Sequence, residues 1–152
     1  MSDTLQLDQS SALPGNAAMR AQFAADLRAA GLRPTRQRIA LASILFGGGH
    51  RHIAAESLHE EAVAANVPVS LATIYNTLHQ FTEAGLLRQV AVEGARTYFD
   101  TNVSDHHHFF VEGENRLIDV ISPVEIGNVP SPPAGLEVTS VEVVVRVRRK
   151  LD

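Results

Sequence analysis

Glycine and proline divide the first 85 residues of the chain into four segments of helical length. Within each segment, apolar residues recur at the spacing of a helix face, which predicts helices over residues 17–30, 35–46, 54–65 and 70–84. The expected stops are Gly31, Gly47-Gly48-Gly49, Pro68 and Gly85. Thr35 and Ser70 are suited to cap the second and fourth helices, because a hydroxyl can accept a hydrogen bond from a first-turn amide.

A hairpin is expected directly after the fourth helix. Residues 87–92 and 96–100 have the composition of strands and flank the turn Glu93-Gly94-Ala95. The apolar stripe of the fourth helix is expected to face the core, and it consists of Leu71, Ile74, Leu78 and Phe81. The opposite face carries no charge before Glu83. Helices, an uncharged fourth helix and a hairpin predict a winged helix-turn-helix domain over residues 17–101.

The remaining residues predict a second, smaller domain over 105–152. Residues 108–112 and 116–121 flank the polar turn Gly113-Glu114-Asn115, which predicts another hairpin, and the β-branched run at 138–147 predicts a further strand. Prolines between 122 and 135 leave room only for a short helix. The expected fold class is therefore α+β, with an N-terminal winged helix-turn-helix domain, a small C-terminal α/β domain and a flexible arm at residues 1–16.

Composition excludes several chemistries. The chain of 152 residues is 45% hydrophobic and 20% charged, which is typical of a globular protein, and it contains no cysteine. Disulfides, cysteine-ligated zinc, iron–sulfur clusters and a thiolate nucleophile are thus ruled out. Residues 62–82 carry no formal charge but include Pro68 and His79, so no membrane span is predicted. Residues 1–18 do not resemble a signal peptide, and we expect a cytoplasmic protein.

Local charge favours DNA binding although the formal net charge is −4. Arginine is concentrated in one segment of the chain, at Arg20, Arg28, Arg33, Arg36 and Arg38. The fourth helix offers short polar side chains of the kind that read base edges, since asparagine can bond two edge atoms of adenine. The predicted DNA-contacting residues are Arg33, Arg36, Arg38, Ser70, Thr73, Tyr75 and Asn76. The alternative is that residues 70–85 form only a polar-faced packing helix.

Histidines form the second candidate site. His106 and His108 share one face of a predicted strand, whereas His107 points with Asp105 to the other face. His50 and His52 could approach from the helical domain, and Asp100 and Asp119 are expected on neighbouring strands. Imidazole and carboxylate ligands together suit Zn, Mn or Fe(II). Catalysis has no support, because the chain lacks an HExxH motif, a phosphate-binding loop and a nucleophile elbow, and we expect no enzyme.

Five segments together resemble the ferric uptake regulator (Fur) family. They are Gly31-Leu32-Arg33-Pro34-Thr35-Arg36-Gln37-Arg38, His52 with Ala55-Glu56-Ser57-Leu58, Val69-Ser70-Leu71-Ala72-Thr73-Ile74-Tyr75, Phe81-Thr82-Glu83-Ala84-Gly85-Leu86 and the histidine run. The resemblance covers the chain from about Ala17 onwards. Within the family, the lack of cysteine and the sequence His106-His107-His108-Phe109-Phe110 are similar to the iron response regulator branch (Irr), whose triple histidine is implicated in haem sensing.

The resemblance implies a homodimer that binds an operator in double-stranded DNA, with the C-terminal domain as the dimerisation and sensing domain. It also implies a metal site between the domains, with ligands His52, Asp100, His106, His108 and Asp119. Arg33 would reach the minor groove and Tyr75 would act from the recognition helix. Asn76 replaces an arginine common in Fur proper, which implies a different operator. Aspartate at positions 100 and 119, where Fur has glutamate, also occurs in the peroxide-sensing branch.

Three functions follow as hypotheses. The first is a transcriptional regulator of iron and haem homeostasis whose DNA binding is weakened by haem at His106, His107 and His108. The second is a manganese-, iron- or peroxide-sensing regulator that uses the histidine and aspartate residues for a bare metal ion. The third, from a different class, is a histidine-based metal- or haem-binding protein without DNA function. Salt-dependent binding to duplex DNA would separate the third from the other two.

Overall fold

The computed structural model describes residues 16–151, so the predicted arm at residues 1–16 lies, except for Asn16, outside the described residues. Helices and strands follow one another in the order α1 (Ala17–Ala29), α2 (Arg36–Phe46), β1 (His52–Ile53), α3 (Ala55–Ala64), α4 (Leu71–Glu83), β2 (Arg88–Ala91), β3 (Thr97–Asp100), β4 (His108–Val111), β5 (Arg116–Asp119) and β6 (Val144–Val147). Among these residues, no helix is both long enough and apolar enough to cross a membrane. The chain divides into two compact units.

The first unit contains all four helices and a three-stranded sheet, and it comprises residues up to 91 together with residues 97–103. Side-chain caps begin three of its helices: Asn16 accepts from the amide of Met19, Thr35 from that of Arg38 and Ser70 from that of Thr73. Each cap satisfies an amide that has no partner within the helix. The helices therefore begin where the sequence predicts.

Apolar faces of the four helices and β3 form the core of this unit. Its largest fully buried members include Leu27, Leu41, Leu45, Leu58, Ile74, Leu78, Phe81 and Phe99. The sheet has the order β1-β3-β2, and both pairs are antiparallel. Helices followed by the β2–β3 hairpin are the winged helix-turn-helix arrangement that the sequence predicts.

Two expectations for this unit need correction. Leu71 does not join the core, because it is the first residue of α4, directly after the cap, and 37% of it remains exposed. The strand β1 was not predicted, since two residues are too short to show an alternating pattern.

The second unit comprises the turn at residues 92–96 and residues 104–151, and it holds a sheet of order β5-β4-β6. β4 and β5 form the predicted antiparallel hairpin, whereas β6 pairs in parallel with β4. The strand expected over 138–147 is shorter, because β4 offers partners only for Val144–Val147. Residues 122–143 contain no helix or strand. The mixture of helices and small sheets confirms the α+β fold class.

Candidate metal centre and nucleic-acid interface

A histidine and an aspartate lie opposite each other in the sheet of the first unit. The antiparallel register of β1 and β3 pairs His52 with Asp100, and the imidazole Nε2 lies 3.1 Å from Asp100 Oδ2. The second carboxylate oxygen accepts a hydrogen bond of 2.9 Å from the amide of Asn102. Asp100 is only 1% exposed. The carboxylate is therefore held in one orientation, with one oxygen directed at the imidazole.

Two histidines and one aspartate come together in the second unit for the same reason. The register of β4 and β5 pairs His108 with Asp119, and His106 lies two residues earlier, on the same side of the chain. Asp119 Oδ1 lies 3.2 Å from His106 Nε2 and 3.4 Å from His108 Nε2. The candidate ligand atoms of the three residues all lie within 4.8 Å of one another. The strand pairing thus builds a convergent nitrogen–nitrogen–oxygen group.

The hydrogen bond at the other ring nitrogen determines what His106 can do. His106 Nδ1 lies 2.6 Å from the carbonyl oxygen of Ser104, which can only accept, so the hydrogen must be on Nδ1. In the neutral ring the Nε2 atom then carries a lone pair, and it lies 3.2 Å from Oδ1 of Asp119. A lone pair and a carboxylate oxygen at this distance repel unless a proton or a metal ion lies between them. A histidine that binds a metal usually donates a hydrogen bond from its other ring nitrogen to a carboxylate or a backbone carbonyl, as His106 does here. These residues therefore fit a divalent ion.

His107 has a different role from its two neighbours. Its Nδ1 accepts a hydrogen bond of 3.0 Å from the amide of Val143, so in the neutral ring the hydrogen is on Nε2. The carbonyl of Val143 accepts from the amide of His108 at 3.2 Å. Both polar groups of Val143 are therefore bonded next to the start of β6. Neither ring nitrogen of His107 offers a lone pair to iron while this contact persists.

The helix α4 carries the predicted DNA-reading face. Tyr75 and Asn76 are exposed and Thr73 is half-buried, while Ser70 uses its hydroxyl to cap the helix and to contact Thr73 Oγ1 at 3.0 Å. The hydroxyl of Tyr75 donates to the carboxylate of Glu56, a residue in the first turn of α3. The side chain of Asn76 makes no hydrogen bond within residues 16–151, so its amide group is available to a partner.

The three predicted arginines differ in their surroundings. Arg33 and Arg36 are exposed, and within the described part of the chain their guanidinium groups make no hydrogen bond or ion pair. Arg38 instead donates from Nη1 to the carbonyl of Arg33 at 2.8 Å and from Nη2 to Gln80 Oε1 at 2.9 Å. Arg38 therefore ties the loop before α2 to α4, and Arg33 and Arg36 are the more accessible cations.

The matching family model covers most of the chain. It is that of the ferric uptake regulator family, and it matches residues 29–145. The chain belongs to the ferric uptake regulator family. Because members of this family are transcription regulators, the expectation that the chain is not an enzyme is confirmed.

Relatives from several branches of the family are similar to the chain. It is 33% identical over 99 residues to the ferric uptake regulation protein of Pseudomonas fluorescens, which covers 64% of this chain and 80% of the relative. It is also 33% identical over 100 residues to the peroxide-responsive repressor PerR of Staphylococcus aureus, covering 65% and 66%. The ferric uptake regulator from Pseudomonas aeruginosa with manganese is a structural neighbour at 25% identity, with a TM-score of 0.63 and coverage of 85% and 98%.

Three features of the candidate site depart from what the sequence predicts. Asp100 and Asp119 do not lie on neighbouring strands, because β3 and β5 belong to different sheets. His50 is exposed and belongs to neither histidine–aspartate group. The contact of Glu56 with Tyr75 was not foreseen, since no spacing rule relates the first turn of one helix to the face of the next.

Proposed function

We propose that the chain is a homodimeric transcriptional regulator of the cytoplasm that binds an operator in double-stranded DNA and responds to a divalent metal ion. The observation that carries this proposal is that both units of a ferric uptake regulator family member hold a histidine–aspartate group built by strand register. Where a neutral imidazole directs a lone pair at a carboxylate, a proton or a metal ion between them removes the repulsion. A bound metal ion would thereby stabilise the folded protein.

The proposed metal site uses the residues of both groups for one ion. They are His52, Asp100, His106, His108 and Asp119. Support comes from the anchored carboxylate of Asp100, from the Nε2 atom of His106 directed at Asp119 and from the relative whose structure contains manganese. Manganese, iron and zinc all suit imidazole and carboxylate ligands. When bound, the ion would supply the positive charge that lets these groups face one another.

The proposed DNA contacts divide into two kinds. Arg33 and Arg36 attract phosphates, which gives affinity without sequence preference. Thr73, Tyr75 and Asn76 read base edges from α4, with Ser70 as the cap that sets the start of the helix. The contribution of Arg38 is proposed to be indirect, through its bonds to Arg33 and Gln80.

A second copy of the chain is the proposed partner of the second unit. This unit leaves many large apolar side chains exposed: Ile118, Ile121, Val138, Val141 and Val145 are each at least 39% accessible. Apolar surface of this extent is typical of an interface. Two copies related by a twofold axis would present two α4 helices to a pseudo-palindromic operator.

A finer proposal concerns iron and haem homeostasis, as in the Irr branch, with haem weakening DNA binding. Its support is the sequence His106-His107-His108 alone. In the described conformation none of the three imidazole rings is available as an axial ligand of haem iron. The His106 and His108 side chains are only 11% and 4% exposed, and His107 Nδ1 accepts a hydrogen bond from the amide of Val143. Axial ligation would require one of these contacts to be given up.

A manganese- or peroxide-sensing regulator is the alternative with comparable support. The similarity to PerR and to the manganese-containing relative favours it, and the same five residues would serve a bare ion. A metal- or haem-binding protein without DNA function is the remaining alternative. It predicts no salt-dependent binding to any duplex.

One experiment separates these functions. Duplexes are selected from a random library with the metal-loaded protein, and the affinity for the selected duplex is then titrated with Mn(II), Fe(II), Zn(II), haem and peroxide. We expect a divalent ion to strengthen binding, Asn76→Ala to cost about 1 to 3 kcal/mol on the selected duplex, and Arg33→Ala to weaken binding to every duplex with a flatter salt slope. Failure to select any duplex would contradict the proposed function.

A further inference from the structure

The predicted DNA-reading face includes one acidic group. Glu56 lies in the first turn of α3, and its Oε1 accepts the hydrogen bond from the hydroxyl of Tyr75 on α4. Tyr75 is 37% exposed, so packing alone does not fix its ring. The hydrogen bond to a charged acceptor therefore restricts where the tyrosine hydroxyl can lie.

The charge of Glu56 matters because α4 brings no positive charge of its own. Between Leu71 and Glu83 the helix contains neither lysine nor arginine. Attraction to phosphate thus depends on cations such as Arg33 and Arg36, on the loop before α2 and at its start. A carboxylate beside the recognition helix opposes that attraction on every sequence, since phosphates are present in all duplexes.

We infer that Glu56 is a specificity-determining positioning residue of the DNA interface, an inference that rests on the proposed function. It acts in two ways. Its carboxylate holds the hydroxyl of Tyr75 in the position from which the tyrosine contacts a base edge, which widens the difference in affinity between operator and random DNA. Its charge lowers the electrostatic attraction to all duplexes alike and leaves that difference unchanged.

A purely structural role makes different predictions. A carboxylate in the first turn of a helix stabilises the helix dipole, and α3 lacks a side-chain cap at Ala54. Glu56→Asp keeps this charge but shortens the reach to Tyr75, whereas Glu56→Gln keeps the reach and removes the charge. Glu60 is an exposed glutamate one turn further along α3, and its side chain makes no hydrogen bond or ion pair in the described residues, so Glu60→Gln is the matched control for charge.

The test measures the affinity of each variant for the duplex selected by the wild-type protein and for a shuffled duplex, with melting temperatures recorded in parallel. Glu56→Asp and Tyr75→Phe should each weaken binding to the selected duplex by about tenfold, the equivalent of one charge-assisted hydrogen bond, and leave the shuffled duplex unchanged. Combining them should cause no further loss. Glu56→Gln should strengthen binding to the shuffled duplex by about twofold, as expected for one screened charge.

Two results would overturn the inference while leaving the proposed function intact. One is additive loss in the Glu56→Asp, Tyr75→Phe double variant, which would make the two residues independent. The other is a change in Glu56→Gln that equals that of Glu60→Gln on both duplexes. If Glu56→Asp does not fold, the comparison of Glu56→Gln, Glu60→Gln and Tyr75→Phe still decides the matter. A wild-type protein that selects no duplex overturns the proposed function and this inference together.

Discussion

Three consecutive histidines differ in role because each ring has a different neighbour. His106 donates from Nδ1 to a carbonyl and directs Nε2 at Asp119, and His108 lies opposite Asp119 in the adjacent strand. His107 accepts from the amide of Val143. The alternation of side chains along a strand predicts that His107 points away from His106 and His108. The tautomers depend on hydrogen bonds to Ser104 and Val143, which the histidine pattern does not predict. The run therefore combines two proposed metal ligands with a backbone anchor.

Substitution of His107 separates the anchor from ligation. His107→Ala removes the acceptor for the Val143 amide, and we expect that amide to exchange with solvent about tenfold faster, as for the loss of one hydrogen bond. His107→Asn should retain slow exchange, because the asparagine Oδ1 can take the place of Nδ1 although it offers iron no imidazole. The amide of Glu112, bonded to Val147 at 2.8 Å, is the internal control. Equal exchange at Val143 in both variants would contradict the anchor.

At the level of helices and strands, the sequence predicts those element boundaries that are determined by contacts between residues close together in the chain. The capped helices α2 and α4 begin where the sequence predicts, since the caps lie within the same few residues. β1 and the length of β6 are set by partners far away in sequence: His52–Ile53 pairs with β3, 46 to 48 residues later, and Val144–Val147 pairs with β4, 36 residues earlier. Register of this kind depends on tertiary structure. The sequence pattern therefore does not predict that His52 lies opposite Asp100, and only the family resemblance implies that both residues belong to one metal site.

The ion pair between Glu114 in the β4–β5 turn and Arg149 after β6 can be tested through the pKa of Glu114. Glu114 lies 2.5 Å from Arg149 Nε and 3.4 Å from Arg116 Nη2, and its hydrogen bond with Arg149 is the main cause of a lowered pKa. A carboxyl whose pKa is lower in the folded state stabilises that state above its unfolded pKa, and the contribution is lost as pH falls through the folded pKa. We expect Arg149→Ala to raise the Glu114 pKa in an NMR titration by more than Arg116→Ala does. High salt should raise it as well, and a pKa that does not respond to Arg149→Ala would contradict this attachment.

For the whole molecule, the two units differ in how much apolar surface they bury. The first unit has a continuous core of helices and sheet, whereas the buried apolar residues of the second are few: Val92, Phe110, Val111 and Leu117. A sheet with so small a core needs further stabilisation, which apolar burial against a second copy and the binding of a metal ion would each provide. We therefore expect metal binding, dimerisation and folding to be coupled in this chain.

The proposal of one shared ion is tested by removing one ligand from each unit. At a free Mn(II) concentration about 100 times its dissociation constant, a single site stabilises the folded protein by about 2.7 kcal/mol. If one ion is held by both groups, Asp100→Asn and Asp119→Asn should each abolish most of this increment in thermal or denaturant unfolding, and the double variant should lose no more.

Bound manganese should amount to one ion per protomer, and His106→Ala with His108→Ala should remove it. His50→Ala, an exposed histidine outside both groups, should behave as wild type. Two independent sites would instead give partial, additive losses, with manganese still bound after Asp100→Asn, because a ligand group confined to one unit does not depend on the carboxylate of the other.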